Sequence, residues 1–289
     1  MIALAGRLRW LPPMLPALLL LGLFVAGPIL WSGYISLTNA ALTGAAATDP
    51  EFVGLENFRR LFTDPELWRS VWLTVVFVAG SAVFGQNLLG LGIALLTRHR
   101  NRFISGAVGT VVVSAWVLPE LVAAFAVYAF LNPDGTLNAL LASFGLDGQQ
   151  WLFTAPMLAV VLANVWRGTA FSMLVYQAAL AEVPGDLTEA AQVDGAGSVR
   201  RFWHVVLPVI RRSVLTNLML ITLQTIGVFT LIYVLTAGSL DGATRTLPLL
   251  MYEQAFELDE IGYAAASSLV LLGIGALFAV VYAATLEEK

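Results

Sequence analysis

Six long apolar segments dominate the pattern of hydrophobic and polar positions along the chain. Each is long enough to cross a bilayer as a helix, which takes about 20 apolar residues. None alternates as a membrane strand does, and a helix satisfies its own backbone hydrogen bonds in lipid. We therefore predict an all-α, polytopic integral membrane protein with about six transmembrane helices. Their predicted limits are 14–38, 71–97, 104–131, 154–181, 213–236 and 262–285.

The first apolar segment has some features of a signal peptide, because Arg7 and Arg9 precede it and a run of alanines follows it. Its apolar stretch nevertheless exceeds the roughly 7–15 residues of a signal-peptide core. We therefore expect an uncleaved N-terminal helix over 14–38, followed by an external loop over 39–70 and core helices over 71–285.

The distribution of charge predicts how the chain is oriented in the membrane, since basic residues concentrate in cytoplasmic loops. With the N-terminus inside, ten basic residues are cytoplasmic and four are external, and Arg167 falls within a span. We expect a cell-membrane protein with both termini in the cytoplasm. The ten cytoplasmic basic residues are Arg7, Arg9, Arg98, Arg100, Arg102, Arg200, Arg201, Arg211, Arg212 and Lys289.

Composition excludes several kinds of chemistry. The chain has no cysteine, and its two histidines, His99 and His204, lie far apart in sequence, so we expect no metal site. Its one lysine is the last residue, Lys289, so it lacks the internal Gly-Lys-Ser/Thr of a phosphate-binding loop. We expect a non-catalytic chain that binds no cofactor and no nucleic acid. If transport is driven by ATP, another chain hydrolyses it.

The fourth connection is a polar, glycine-containing insert between two apolar segments. Asp186 is placed to cap a helix, with Glu189 three residues later as its capping-box partner. Gly195 suits the left-handed position that ends a helix. Ser198 is placed to cap a second helix, and Pro208 is expected to interrupt that helix before the fifth span. These signals predict a cytoplasmic helix–turn–helix, which on physical grounds alone is equally a helical linker.

Three short stretches of this insert, which spans residues 182–212, match a known pattern at the expected spacing. They resemble the EAA loop of ABC importer permeases: EAA, two residues, DGA, ten residues and then LP. The resemblance implies a coupling helix that docks on a cytoplasmic ATPase. The residues expected to form this coupling site are Glu189, Ala190, Ala191, Asp194, Gly195, Ala196, Leu207 and Pro208.

Other segments are similar to one branch of that family, the maltose-type carbohydrate permeases. FVGLENFRRLF at 52–62, GTLNALL at 135–141 and GYAAASS at 262–268 resemble the family's segments at corresponding places. The resemblance implies a single permease domain over 1–289 with the type I ABC importer fold.

The same resemblance implies a set of partners. They are a second homologous permease, usually forming a heterodimer, a cytoplasmic ATPase dimer that carries ATP and Mg²⁺, an external sugar-binding protein, the sugar itself and membrane lipid. The cargo could instead be a polyamine, iron or a phosphate ester. A secondary transporter is a further alternative, although no inverted repeat is visible.

Glu120 and Arg167 are the ionisable residues within the predicted spans. Such residues are costly in lipid, and they usually face a cavity or each other. Glu120 lies about 24 Å above the cytoplasmic end of its span, and Arg167 lies about 21 Å above the end of its own, at 1.5 Å per residue. The matched depth predicts an ion pair, a contact with substrate, or both.

Aromatic and amide side chains lie near the same depth. Planar polar groups and flat apolar faces suit a hydroxyl-rich solute, but aromatic residues in membranes more often serve packing or interfacial anchoring. Pro119 is expected either to break the third span beside Glu120 or to kink it. The candidate substrate-path residues are Trp116, Glu120, Asn164, Arg167, Gln224, Thr225, Phe229 and Tyr233.

Overall fold

The computed structural model describes residues 11–98, 100–238 and 241–287. Four residues used in the charge and metal arguments, namely Arg7, Arg9, His99 and Lys289, lie outside these ranges. The described chain is helical, and within it the only extended pairing is an isolated antiparallel bridge between Thr38 and Phe52. The prediction of an all-α fold is confirmed.

Helices occupy most of the described residues, and four short segments have the wider π-helical turn. The α-helices are α1 Leu11–Leu21, α2 Gly27–Ile35, α3 Ala45–Thr48, α4 Glu56–Thr63, α5 Pro65–Val78, α6 Asn87–Thr97, α7 Arg102–Val117, α8 Glu120–Leu131, α9 Thr136–Ser143, α10 Trp151–Thr154, α11 Pro156–Ala181, α12 Gly185–Val193, α13 Ser198–Arg201, α14 Leu207–Ile226, α15 Thr230–Thr236, α16 Leu247–Tyr252 and α17 Ile261–Glu287. The π-helical segments are π1 Gly22–Ala26, π2 Ala79–Gln86, π3 Phe202–Val206 and π4 Glu253–Glu257.

The described residues contain five helical stretches that are long and apolar enough to span a membrane, or six if one bent pair crosses as a unit. The bent pair, Arg102–Val117 and Glu120–Ser143, turns by 106°. The number of predicted spans is therefore confirmed. The five stretches are Met14–Ile35, Pro65–Thr97, Pro156–Ala181, Ser198–Ile226 and Ile261–Thr285.

The predicted limits of two membrane spans are wrong. The second span begins at Pro65 rather than at residue 71, and the preceding segment is partly helical, because it contains α3 and α4. The fifth span is not one helix over 213–236. It begins at Ser198 and ends at Ile226, and α15 starts separately at Thr230 after a break at 227–229. Gly227, which has a low helix propensity, begins this break.

The break in the third span lies where Pro119 predicts it. Leu118 and Pro119 both have extended backbones, with ψ of 134° and 141°. Proline disfavours a helical conformation in the residue before it and cannot donate a backbone hydrogen bond. The chain therefore leaves α7 at Val117 and starts α8 at Glu120, whose side chain follows the break directly.

The chain divides into two compact units. The larger comprises the described residues of 69–249 and 274–287, and its core has two apolar clusters. One cluster joins α5, α8, α11 and α15, and it includes Phe77, Val160 and Ile232. The other joins α6, α11 and α14 to π3, and it includes Tyr176 and Ile210.

The smaller unit comprises residues 11–68 and 250–273. Its core is polar at the chain reversal after α2, where Asn57 is buried and donates to the carbonyl oxygens of Ser36 (2.9 Å) and Thr38 (2.8 Å). By contrast, the span Met14–Ile35 has no buried residue within this chain. An apolar helix without internal packing requires lipid or another protein around it.

Asp259 holds a loop of the smaller unit in place. Its carboxylate accepts hydrogen bonds from the Thr43 hydroxyl and from the backbone N–H groups of Leu42 and Thr43. These bonds, chiefly that of the Thr43 hydroxyl, lower the pKa of Asp259 from its ordinary value of 3.8. A carboxylate that is stabilised in the folded state contributes stability at neutral pH and loses that contribution in acid.

We expect the loop at Leu42 and Thr43 to loosen as the pH falls through the lowered pKa of Asp259. Hydrogen–deuterium exchange at neutral and acidic pH, corrected for intrinsic exchange rates, measures this change at the two amides. Asp259→Asn carries no charge to lose, so its exchange should show no such acid step. The same acid step in both proteins would exclude Asp259 as the cause.

Candidate coupling loop and intramembrane site

We name the insert over residues 182–212 the coupling loop. Its first helix, α12, ends in a Schellman motif. Gly195 has a φ of 79°, in the left-handed region. Its N–H donates to the carbonyl of Gln192 (3.0 Å), and the N–H of Ala196 donates to the carbonyl of Ala191 (2.9 Å). These two bonds satisfy carbonyls that the helix end leaves open. The left-handed Gly195 is confirmed, and the bond from Ala196 to Ala191 joins the DGA stretch to the EAA stretch.

The predicted helix caps are wrong. Asp186 does not cap α12, which starts at Gly185 after Pro184 and has no side-chain cap. The extended backbone of Pro184 already sets the chain direction before the helix, so Asp186 falls in the first turn, where its charge favours the helix N-terminus. Ser198 likewise does not cap α13 but is its first residue, after an extended Gly197.

A side-chain hydrogen bond fixes the two short helices of the loop against each other. The Arg201 guanidinium on α13 donates from Nη1 to Oε1 of Gln192 on α12 (2.5 Å) and from Nη2 to Oγ of Ser198 (3.4 Å). The sequence pattern did not identify Gln192, because it occupies one of the two unspecified positions between EAA and DGA. Arg201 gave no signal beyond its charge.

The predicted interruption at Pro208 is also wrong. The chain is helical without a break from Ser198 to Ile226, and Pro208 is the second residue of α14. The π-helical turn π3 precedes it, with the Leu207 N–H donating to the carbonyl of Phe202. A π turn is a local widening within an α-helix, and it accommodates a proline that lacks an N–H.

The surface of α12 is open. None of its residues is buried, and its exposed residues include Glu189, Ala190 and, with 87% of its surface accessible, Val193. Asp194 is exposed, whereas Ala191 and Ala196 are half-buried beside the turn. Small side chains next to an exposed valine form a surface that another protein can approach closely.

Glu120 lies between two helix N-termini. It is the first residue of α8, and its Oε1 accepts a hydrogen bond from the backbone N–H of Leu231, the second residue of α15 (3.1 Å). The first N–H groups of a helix lack partners within it, and the helix dipole there favours a negative charge. The breaks in the third and fifth spans therefore meet at a single carboxylate.

The structure does not form the predicted ion pair between Glu120 and Arg167. Ion pairs in the described part of the chain include Arg59–Glu56 and Arg60–Glu260, and none joins Glu120 to Arg167. The Leu231 N–H at the start of α15 and the position of Glu120 in the first turn of α8 both favour its negative charge without a cation. Arg167 is half-buried, and its Nε has no hydrogen-bond partner among the described residues.

Two other predicted path residues are buried by helix packing. Asn164 is 3% exposed, and its Nδ2 donates to Oγ of Ser81 (3.0 Å), while its backbone carbonyl accepts from Nε2 of Gln86 (3.0 Å). Thr225 is also 3% exposed, just before the break in the fifth span. In this structure both side chains belong to the interior of the helix bundle.

The remaining aromatic and amide candidates are accessible. The rings of Phe229 and Tyr233 stack at 5.3 Å with planes 22° apart, at the start of the helix that Glu120 holds. Trp116 lies at the end of α7 with 40% of its surface exposed, 6.2 Å from the ring of Phe171. Gln224 is exposed near the end of α14. Phe229 and Tyr233 thus flank Leu231, the residue whose N–H donates to Glu120.

The described residues combine several features of one class of protein. They contain no group of three His, Cys, Asp or Glu side chains that could hold a metal ion. They combine candidate membrane spans, two of which are broken at the same carboxylate, with an exposed helix–turn–helix in a charged connection. These features define a polytopic membrane transport subunit.

Comparison with known proteins agrees with this class. The chain belongs to the family described as the inner membrane component of binding-protein-dependent transport systems, whose model matches residues 86–285. It is 32% identical to the trehalose/maltose transport permease MalF of Thermococcus litoralis, over 93% of this chain and 90% of that protein. It is 29% identical to the sulfoquinovosyl glycerol transport permease SmoG of Agrobacterium fabrum, over 99% of this chain and 92% of that protein.

The fold is also found in a solved structure. A chain of a bacterial ABC transporter that imports the acidic polysaccharide alginate superposes with a TM-score of 0.82. The match covers 98% of this chain and 96% of the other, at 21% sequence identity. The resemblance to the type I ABC importer permease fold is therefore confirmed across the whole length.

Proposed function

We propose that this chain is one of two permease subunits of an ATP-driven importer and that its cargo is a sugar. The observation that carries the proposal is the exposed Schellman turn at Gly195, which fixes the EAA and DGA stretches as one rigid surface. A membrane chain without a phosphate-binding loop needs such a surface to receive movement from a separate ATPase. The coupling residues of the EAA loop supply it.

The sugar cargo is supported by the relatives and by the intramembrane site. Two relatives that align with more than nine tenths of this chain are named for trehalose/maltose and sulfoquinovosyl glycerol transport. The rings of Phe229 and Tyr233 stack at the start of α15, the helix whose Leu231 N–H donates to Glu120, and they add flat apolar surface there. Flat apolar surface with a few fixed polar groups is the usual lining of a site for a small solute.

The assembly follows from the same proposal. A second permease completes the translocation path, an ATPase dimer binds ATP and Mg²⁺ beneath the two coupling loops, and an external binding protein delivers the sugar. Lipid surrounds the assembled spans. ATP hydrolysis takes place on the ATPase, and this chain transmits its effect to the membrane helices.

Uptake by proteoliposomes tests the proposal. The vesicles hold this chain with its partner permease and ATPase, and labelled trehalose, putrescine and glycerol phosphate are supplied with the external binding protein. We expect trehalose uptake that requires ATP on the ATPase side and persists when ion gradients are collapsed. Uptake that follows an ion gradient without ATP would identify a secondary transporter. Uptake of putrescine or glycerol phosphate without trehalose would show that the cargo is not this sugar.

The predicted orientation is tested with single cysteines, since the natural chain has none. Phe52 is 71% exposed on the segment expected outside, and Val193 is 87% exposed on the loop expected in the cytoplasm. In intact cells, a membrane-impermeant thiol reagent should label Phe52→Cys and leave Val193→Cys unmodified. Permeabilised cells control for reactivity, because both positions should then be labelled. The reverse pattern in intact cells would invert the topology.

A further inference from the structure

A buried polar cluster joins three membrane helices of the larger unit. Nδ2 of Asn217 on α14 donates to Oγ of Ser172 (3.1 Å) and to Oη of Tyr176 (3.1 Å), both on α11. It also lies 3.3 Å from Oδ1 of Asn87 on α6, which accepts a second hydrogen bond from the Tyr176 hydroxyl. Ser172, Tyr176 and Asn217 are each 0% exposed. We name Asn87, Ser172, Tyr176 and Asn217 the polar junction.

Two of the three helices are in backbone contact at the polar junction. Gly90 lies one turn after Asn87 on α6, and a Cβ there would be 2.5 Å from Cβ of Ser172 and 2.8 Å from the backbone nitrogen of Met173. Only glycine permits this approach. Rotation of α6 against α11 is therefore opposed both by backbone contact and by the shared hydrogen bonds.

The polar junction is packed against the C-terminal part of the coupling loop, namely π3 and the start of α14. Tyr176 also belongs to the apolar cluster in which Val206 of π3 and Ile210 of α14 are buried. Phe202, the first residue of π3, and Leu207, the first residue of α14, pack against that cluster. Close-packed side chains transmit displacement because they leave no space to absorb it. A movement of α13 and π3 therefore reaches the polar junction through directly packed residues.

Hydrogen bonds within a membrane resist rotation and sliding more than apolar contacts do. An apolar side chain that moves along its neighbour exchanges one apolar contact for another, whereas a polar group that leaves its partner in lipid is left unsatisfied. A network shared by three helices therefore fixes their mutual register. Such networks favour one arrangement of the helices over its alternatives.

We propose that Tyr176 and Asn217 are positioning residues that make α6, α11 and α14 a single lever. The lever carries movement of the coupling loop to the break at 227–229, beyond which Glu120 holds α15. This role rests on the proposed function for its biological meaning. Its mechanical content, the fixed register of the three helices, does not depend on the cargo.

The first test measures the number of solute molecules transported per ATP hydrolysed by the full complex, with Tyr176→Phe as the variant. This change removes one hydroxyl and keeps the ring, so the apolar packing is preserved. We expect the ratio to fall about threefold to tenfold, the range for loss of one or two buried hydrogen bonds. Loss of folding alone would lower the amount of complex without changing the ratio. An unchanged ratio overturns the proposal.

Thr216→Val is the matched control for this test. This change removes a hydroxyl from α14, one residue before Asn217, but that hydroxyl donates only to the carbonyl of Arg212 in its own helix (2.9 Å). The control should keep the wild-type ratio. A fall of equal size in Thr216→Val would mean that any loss of a hydroxyl in this region lowers coupling, and it would overturn a specific role for Tyr176.

The second test does not require transport. Spin labels at Leu96→Cys on α6 and Val209→Cys on α14, both exposed positions, report the register of the two helices in the full complex. We expect one narrow distance distribution in the wild-type background and a broader or shifted one with Tyr176→Phe. Identical distance distributions in the wild type and in Tyr176→Phe would overturn the proposal that these residues fix the register of the helices. If the distribution broadens in Tyr176→Phe but the wild-type complex transports nothing with ATP, the role in helix register is supported and the proposed function is wrong.

Discussion

Gly195→Val is expected to reduce ATP hydrolysis stimulated by the loaded binding protein at least about tenfold, with a parallel loss of the ATPase from the purified complex. The left-handed backbone at Gly195 costs a residue with a Cβ about 1–2 kcal/mol, and a β-branched side chain costs more. A turn that opens also loses two hydrogen bonds worth about 0.5–1.5 kcal/mol each. Together these penalties exceed the 1.4 kcal/mol that corresponds to a factor of about ten.

The chain supplies a matched control two residues away. Apart from the adjoining residues, no atom of the described part of the chain lies within 4 Å of a Cβ at Gly195 or at Gly197, so added bulk alone meets nothing there. Gly197 has a φ of −65°, which all residues adopt. Gly197→Val should therefore retain most of the coupling, and Gly195→Asn should recover part of it, because asparagine tolerates the left-handed region. Equal losses in both valine variants would attribute the effect to surface bulk rather than to the turn.

Glu120→Leu is expected to lower the free energy of unfolding by about 1–3 kcal/mol, the cost of leaving a buried N–H without its charged acceptor. Glu120→Gln should lower the free energy of unfolding by less, since the amide oxygen of glutamine can still accept a hydrogen bond from the Leu231 N–H. Thermal unfolding of the complex in lipid nanodiscs measures both. Transport should fall in the same order, because α15 begins at the bond that Glu120 accepts. Equal stability of the leucine variant and the wild type would show that this bond contributes nothing.

A double-mutant cycle decides whether Arg167 shares in this effect. With Glu120 held by two helix N-termini, the losses caused by Glu120→Gln and Arg167→Gln should be additive within about 0.3–0.5 kcal/mol. Stability that returns when both charges are removed would indicate the ion pair predicted from depth alone. That outcome would contradict the arrangement in the structure.

Much of the fold follows from the sequence, because apolar length and charge report directly on the membrane. The limits of the fourth and last spans were correct to within about two residues, since Pro156 and Ile261 start those helices abruptly. The fifth span was wrong because hydropathy measures composition and not backbone direction. Nothing in the hydropathy of the segment distinguishes α14 and α15 from one continuous helix, and Gly227 alone is a weak signal.

The site was predictable where it depends on local backbone and less so where it depends on distant partners. Gly195 could be placed because a left-handed turn needs glycine within a short, regular spacing. Depth along a helix identified Glu120 and Arg167 but not their rotation about the helix axes. The partner of Glu120 is a main-chain N–H of Leu231, and a main-chain donor leaves no mark in a sequence.

The π-helical turn at Phe202–Val206 is a place where the chain can change length without turning a helix face. A π turn arises when a single residue is inserted into an α-helix, and the helix on either side keeps its original facing. Removing one residue from this turn should therefore leave the flanking faces of α13 and α14 aligned, and the cost is confined to Pro208, whose ring would then meet the carbonyl four residues before it. The same deletion inside α14 would turn every later side chain by about 100°, the angle between neighbours in a helix of 3.6 residues per turn. Variation in chain length among related proteins should accordingly be tolerated at this turn and excluded from the helix that follows it.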